Sequence, residues 1–249
     1  MKIGRLILGF FRTIVWFLYF FGSLICLLPV MYKGKRLKEQ GDVEGVQKIL
    51  NKHVQHWMAT LMKIAGCKVT VKGLENIPRD RGVVFVCNHQ GDYDVPLTMV
   101  YLGAPPAMVA KIETKKIPMV RTWMDLLDCI FIDRDDPRQA ITAMKGAGEI
   151  LKAGRNIVVF PEGTRSRGDH MNEFKTGVFK IPFGAGAPIV PVVIDGSYKI
   201  MEANHNLMCP GHVNLTVLPA IETAGLDRHA QKALPNEIYE MIAKEKGLM

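Results

Sequence analysis

The sequence predicts an α/β fold: a mostly parallel sheet flanked by helices, carrying an N-terminal membrane-associated helical segment. Three observations point there. Short β-branched runs recur from residue 67 onward, helix-compatible stretches separate them, and one long uncharged apolar run lies near the N-terminus. With 249 residues and 48% hydrophobic content the chain can bury a large core, which argues against disorder and for one main domain. The expected division is 1–66, membrane-associated helices, and 67–249, the α/β domain.

The N-terminal element is "TIVWFLYFFGSLICLLPVM", Thr13 to Met31, which holds no charged residue. As a helix it would extend about 28 Å, close to the thickness of a bilayer core. Lys33, Lys35, Arg36 and Lys38 follow it and no clear A-x-A site does, which disfavours a cleaved signal peptide. Basic residues flank the run on both sides, so the positive-inside rule assigns no orientation. Gly22 and Pro29 are positions where it can bend into a shallow re-entrant segment. Residues 44–65 then repeat apolar positions at helical spacing, compatible with a helix on the membrane interface or one packed on the domain. Beyond residue 67, "KVTV", "GVVFVC", "AMVAKI", "CIFIDR", "NIVVFP", "PIVPVVI" and "NLTVLP" read as strands. Helices are expected near 95–103, 117–127 and 137–153.

The net charge of +8 favours an anionic partner. The basic residues are not interleaved with aromatics in a recognition motif, so a membrane surface or a phosphorylated substrate accounts for them better than nucleic acid. Five cysteines, at 26, 67, 87, 129 and 209, form no CxxC pair, so neither a zinc cluster nor a disulfide framework is indicated. A reducing, cytosolic setting fits that usage.

In open α/β sheets ligands bind beyond the carboxyl ends of the strands. His89, Asp133 to Arg134, and Glu162 to Arg165 each follow an apolar run, so three strands would bring polar groups to one edge. His89 and Asp94 are five residues apart, about 140° around a continuous helix, where they would not meet. Across a strand-to-helix turn, with Gly91 for backbone freedom and Pro96 in the first helical turn, Asp94 can fold back onto the imidazole. That arrangement is a base and its orienter without a nucleophile. Asp92 is the competing orienter, although its position suits a turn or cap. A lone histidine is more often structural than catalytic, which is the reading for the other six.

The second signature is "IVVFPEGTRSRG", residues 157–168, with Lys175 and Lys180 downstream in "FKTGVFK". Backbone amides of a Gly-containing turn together with a guanidinium suit a phosphate monoester, and Arg can engage two oxygens at once. A solvated basic loop would look similar in isolation.

Taken together, "NHQGDYD", "IFIDR", "FPEGTRS" and "IVPVVI" resemble, in order, the four sequence blocks of the glycerolipid acyltransferase family, and most of all its lysophosphatidate-acylating branch. The blocks run from residue 88 to 194. The resemblance implies transfer of a fatty acyl group from acyl-CoA or acyl-carrier protein to the sn-2 hydroxyl of lysophosphatidic acid, giving phosphatidic acid in phospholipid synthesis. It implies neither metal nor cofactor, and a membrane-associated enzyme whose catalytic domain faces the cytoplasm. By position, His89 would be the general base and Asp94 its orienter. Arg134, Glu162, Gly163, Thr164 and Arg165 would bind the acceptor, with Arg165 as phosphate ligand. The "VAKIETKK" region, represented by Lys111, would lie near the developing oxyanion, and Pro191 would shape a pocket or mark a strand edge. Two departures stand out: Gly91 replaces a frequent serine, and Asp128 and Cys129 stand where a glycine usually precedes the IFIDR-like stretch.

Alternatives remain open at this stage. The acceptor can be glycerol 3-phosphate or another lysophospholipid, or the chain can be a non-catalytic module binding anionic lipid. An acyl-enzyme route is disfavoured by the absence of a GxSxG elbow among only three serines. Cys87, two residues before His89, is a possible nucleophile but reads better as a small buried strand residue.

Overall fold

The computed structural model describes residues 3–117, 119–132 and 146–249. Among these, seven strands form one sheet: β1 (Cys67–Lys72), β2 (Val84–Cys87), β3 (Ala107–Lys111), β4 (Ile130–Ile132), β5 (Ile157–Val159), β6 (Ile189–Asp195) and β7 (Gly211–Val217). Each coincides with an expected run. The spatial order is β1-β7-β6-β2-β5-β3-β4, and every neighbouring pair is parallel except β6–β7. The sheet is therefore mixed but mostly parallel. β2 is buried on both faces, as its unbroken apolar run requires, whereas β1 alternates between half-buried and exposed residues at the sheet edge.

Helices cover both faces. On one, α1 (Ile3–Cys26), α2 (Leu28–Glu39), α3 (Val43–Ile49), α4 (Gln55–Ala65), α5 (Asp94–Tyr101) and α6 (Val120–Leu126) share a core with Phe85, Cys87 and Val192. On the other, α7, described over residues 146–152, packs with α8 (Lys180–Ala185) and α9 (Arg228–Glu245) against Val84, Ile157 and Ile189. Part of the helix expected over 137–153 lies outside the described residues.

The N-terminal apolar run forms α1, then breaks at Leu27 just before Pro29, which sits in the first turn of α2, where a missing N–H costs nothing. Gly22 lies inside α1. Asp42 caps α3 by accepting the Gly45 N–H at 2.8 Å, and the helix runs on through one π turn into α4, which ends at left-handed Gly66. Of the two readings for residues 44–65, packing on the domain is the one observed. Leu50, Trp57, Leu61 and Ala65 are buried, and α4 packs against α5 and β1.

Two features were not anticipated. The first is α9, which carries Pro235 in its interior, a residue that reads as a helix breaker, yet buries Leu234, Ile238 and Ile242 on one stripe. The second is the place of Pro191, which is neither on an edge strand nor among the residues lining the cavity described below. The β6–β7 register shifts by one residue between Val192↔Val217 and Ile189↔Ile221, and Pro191 sits at that bulge, where a ladder N–H is not needed.

Candidate active site

Because β2, β3, β4, β5 and β6 are parallel, their carboxyl ends share one edge, and the loops leaving them converge. β2 ends at Cys87 and α5 begins at Asp94, so the intervening loop must reverse within six residues. Asn88 starts it by extending the ladder. Its side-chain amide donates to the Ile194 carbonyl at 2.8 Å and its oxygen accepts the Ile194 N–H at 2.8 Å, in place of the next backbone amide of β2. Gln90 holds the loop's far side, accepting the Gly196 N–H at 2.8 Å and donating to the Gly168 carbonyl at 3.0 Å.

Within this loop Asp94 folds back onto His89. Its Oδ2 lies 2.7 Å from His89 Nδ1 and also accepts the N–H groups of Gln90 at 2.7 Å and Gly91 at 2.9 Å. The carboxylate is fully buried, so three donors on one oxygen stabilise its charge where water cannot. His89 remains 18% exposed, and its ring stacks on Phe160 with centroids 4.3 Å apart. One contact fixes the edge of the imidazole and the other its plane. With Nδ1 committed to Asp94, Nε2 is the nitrogen available to a proton.

The loop after β5 is joined to the histidine loop along its backbone. Ser166 donates to the His89 carbonyl at 2.8 Å and Arg167 to the Gln90 carbonyl at 3.0 Å. Gly163, at φ 68, makes the turn between them. Glu162 accepts the His89 N–H at 2.6 Å and the Asn172 N–H at 2.8 Å. Burial holds its pKa above the ordinary carboxylate value, and those two amides offset only part of the rise. The Glu162 carboxylate thus braces the two loops and is not among the cavity-lining groups, whereas Gly163, Thr164 and Arg165 are.

These loops form the polar end of a cavity of about 950 Å³. His89, Asp92, Lys111, Arg165, Arg167 and Lys175 line that end. Beyond it the walls are apolar, with Met99, Met108 and Trp123 from the domain and Phe20, Leu24 and Trp57 from the N-terminal helices. Lys111 stands at the carboxyl end of β3, on the cavity but exposed. Arg165 pairs with Asp92 and lies 3.5 Å from Glu202. Arg134 lies outside the described residues.

Cys87 is fully buried in β2, and burial, then the charge of Asp94, push its thiol well above the ordinary range. Cys129, which does line the cavity, is pushed up to about 12 by burial. Neither thiol supplies a thiolate at neutral pH. Sequence reasoning missed Phe160, Asn88, Gln90 and Glu202. The first three flank the motif residues and were readable as neighbours, but Glu202 is over a hundred residues from His89 and carried no signal.

Comparison with known proteins agrees with this geometry. The family model described as Acyltransferase matches residues 68–195. A probable 1-acyl-sn-glycerol-3-phosphate acyltransferase of Mycoplasma pneumoniae is 36% identical over 63% of this chain, a match spanning 60% of that relative's length. A 1-acyl-sn-glycerol-3-phosphate acyltransferase of Haemophilus influenzae is 30% identical over 89% of this chain and 88% of its own. Among solved structures, the 1-acyl-sn-glycerophosphate (LPA) acyltransferase PlsC of Thermotoga maritima superposes with a TM-score of 0.78 at 28% identity, covering 99% of this chain and 96% of that one. With the family model covering the strands that carry both site loops, and relatives aligned over most of its length, this chain belongs to the acyltransferase family.

Proposed function

We propose that the protein transfers a fatty acyl group from an acyl thioester to the sn-2 hydroxyl of lysophosphatidic acid, forming phosphatidic acid. The observation that carries this reading is one cavity lined both by the histidine of a buried-carboxylate–histidine pair and an arginine and by many apolar side chains of the domain and the N-terminal helices. The Mycoplasma, Haemophilus and Thermotoga relatives carry the corresponding name.

The chemistry follows from the pair. The acceptor hydroxyl donates to His89 Nε2. As its oxygen attacks the thioester carbonyl, the proton passes to the imidazole, and Asp94 stabilises the imidazolium at 2.7 Å. The C–S bond then breaks and the departing sulfur takes the proton back, regenerating neutral His89. Base, counter-charge and phosphate ligand are all side chains of this chain, so the reading includes no metal or cofactor. Arg165 binds the acceptor phosphate with Thr164 beside it, Lys111 sits near the thioester end, and Glu162 acts by bracing the loops. Acyl-CoA and acyl-carrier protein present the same thioester to this site, and both belong to the reading.

The proposed setting is the cytoplasmic side of a membrane. α1 is apolar enough to cross a bilayer by length and composition, with a mean hydropathy of 1.6. It is also held along its length. Thr13 Oγ1 accepts the Met208 N–H at 2.8 Å, Trp16 donates to the Leu61 carbonyl at 3.1 Å, and Ser23 accepts from Trp57 at 2.7 Å. The opposite stripe, with Phe10, Phe17, Leu18, Phe21 and Ile25, is exposed. A helix tied down at both halves supports an orientation flat in one leaflet, which would open the apolar end of the cavity towards lipid.

The test is a panel of acceptors (lysophosphatidic acid, glycerol 3-phosphate, lysophosphatidylcholine, monoacylglycerol) against both donors, with wild type, His89→Ala and Arg165→Ala. Transfer to lysophosphatidic acid that His89→Ala abolishes and Arg165→Ala weakens is expected. Equal use of monoacylglycerol would refute the phosphate-binding assignment. Vesicle binding with no transfer from any donor would favour a lipid-binding module instead.

A further inference from the structure

Glu202 lies in the short 3-10 turn Glu202–Asn204, outside both sequence signatures, yet its carboxylate is inserted between them. Oε1 accepts the Asp92 N–H at 2.7 Å and stands 3.5 Å from Arg165 Nη1, while Oε2 is buried with no hydrogen-bond partner. The side chain reaches this place because residue 91 has none of its own: a Cβ on Gly91 would lie 2.7 Å from Oε2 and 2.9 Å from the carboxylate carbon. Gly91 is not among the residues with positive φ, so its backbone would accept any side chain. What excludes one is Glu202.

The two carboxylates facing Arg165 differ in kind. Glu202 is 3% exposed and tied to a backbone amide, whereas the Asp92 carboxylate is 55% exposed, is paired with Arg165, and belongs to a residue that lines the cavity. A fixed buried partner sets where a guanidinium points, and an exposed one can be displaced by a stronger ligand of the same charge. We infer that Glu202 is a positioning residue that aims Arg165 into the acceptor phosphate site, that Gly91 is required to seat it, and that the Asp92 carboxylate holds the place the phosphate takes. This rests on the proposed reading of the site as an acyltransferase using a phosphorylated acceptor. It also explains the glycine in "NHQGDYD": a serine there would occupy the space of the Glu202 carboxylate.

The experiment is steady-state acyl transfer to lysophosphatidic acid by wild type, Glu202→Ala, Gly91→Ala and the double variant, with KM measured separately for acceptor and acyl donor. Losing the aim of one charge-assisted contact is expected to raise the acceptor KM about tenfold or more in Glu202→Ala, with kcat within about threefold and the donor KM unmoved. Gly91→Ala should reproduce that change by displacing the carboxylate. In the Glu202→Ala background, where the clash is gone, Gly91→Ala should add nothing, and this arm remains readable even if Gly91→Ala alone folds poorly. Glu202→Gln, which keeps an acceptor for the Asp92 N–H, should fall between wild type and Glu202→Ala. An unmoved acceptor KM in Glu202→Ala, a uniform loss in kcat and both KM values, or additive effects in the double variant would overturn the inference while leaving the acyltransferase reading intact. A wild type that transfers nothing to a phosphorylated acceptor would remove that reading, and this inference with it.

Discussion

Replacing Asp94 by Asn isolates the electrostatic part of the base. The amide oxygen can occupy the position of Oδ2 and still accept the Gln90 and Gly91 N–H groups and the His89 Nδ1–H, so the loop keeps its three bonds there. What disappears is the negative charge beside the imidazolium. With Nδ1 and Oδ2 2.7 Å apart, the two charge centres stand about 4 Å from each other, worth about 4 kcal/mol at an effective dielectric of about 20. That energy appears only after the proton has moved to His89, so it belongs to the barrier and corresponds to about 10³ in kcat. The new NH₂ would sit where Asp94 Oδ1 now has no partner, which should lower stability by about 1–3 kcal/mol without unfolding the protein. The assay is continuous release of free thiol from acyl-CoA at saturating lysophosphatidic acid, with circular dichroism melts as a folding control. A kcat loss of about 10³ at nearly unchanged KM is expected, and adding Asp94→Asn to His89→Ala should cost almost nothing more. A fall of less than about tenfold, or a change confined to KM, would refute the assignment of Asp94 as the charge partner of a general base.

Cys87→Ala should retain most activity, because its buried, protonated thiol takes no part in the chemistry; activity lost with Cys87→Ala but kept with His89→Ala would force an acyl-enzyme route. Asn88→Ala should destabilise the domain by about 1–3 kcal/mol for each of the two Ile194 groups it strands, read as a lower midpoint in chemical denaturation; an unchanged midpoint would mean that water replaces both bonds. Leu18→Glu with Phe21→Glu places two charges on the exposed stripe of α1 and should release the protein from phospholipid vesicles in a sedimentation assay; full retention would show that this stripe is not the membrane-binding face.

Much of this architecture was legible in the chain because its signals are local. The seven apolar runs fall on the seven strands, and β2, which is buried on both faces, is continuously apolar for that reason. The His89–Asp94 contact was readable from spacing alone, as a helix would have separated the two residues and a turn brings them together. The residue types of "PEGTR" suggested a phosphate-binding loop, but the different directions its side chains take were not readable. Nothing in the order of residues shows that Glu162 turns inward to two backbone amides while Arg165 turns to the cavity. Glu202 was invisible for a stronger reason: its role depends on the missing Cβ of Gly91 and on a chain crossing fixed only by tertiary packing. Helix α9 was hidden by Pro235, whose breaking tendency is overridden by the burial of Leu234, Ile238 and Ile242. Pro191 misled for the converse reason, since an interior strand tolerates proline only where its ladder slips, and a slip leaves no mark in sequence.

If His89 acts as a base on the acceptor's own hydroxyl, the acyl group passes in one step and the protein never carries it. The most direct measurement is to incubate the wild-type protein in detergent with acyl-CoA labelled in the acyl chain, without acceptor, quench in acid, and follow label on the protein by mass spectrometry. Addition of lysophosphatidic acid to a parallel sample then starts turnover. An unlabelled protein is expected in the first sample and labelled phosphatidic acid in the second. Stoichiometric label on a protein side chain, chased into product when the acceptor is added, would contradict one-step transfer.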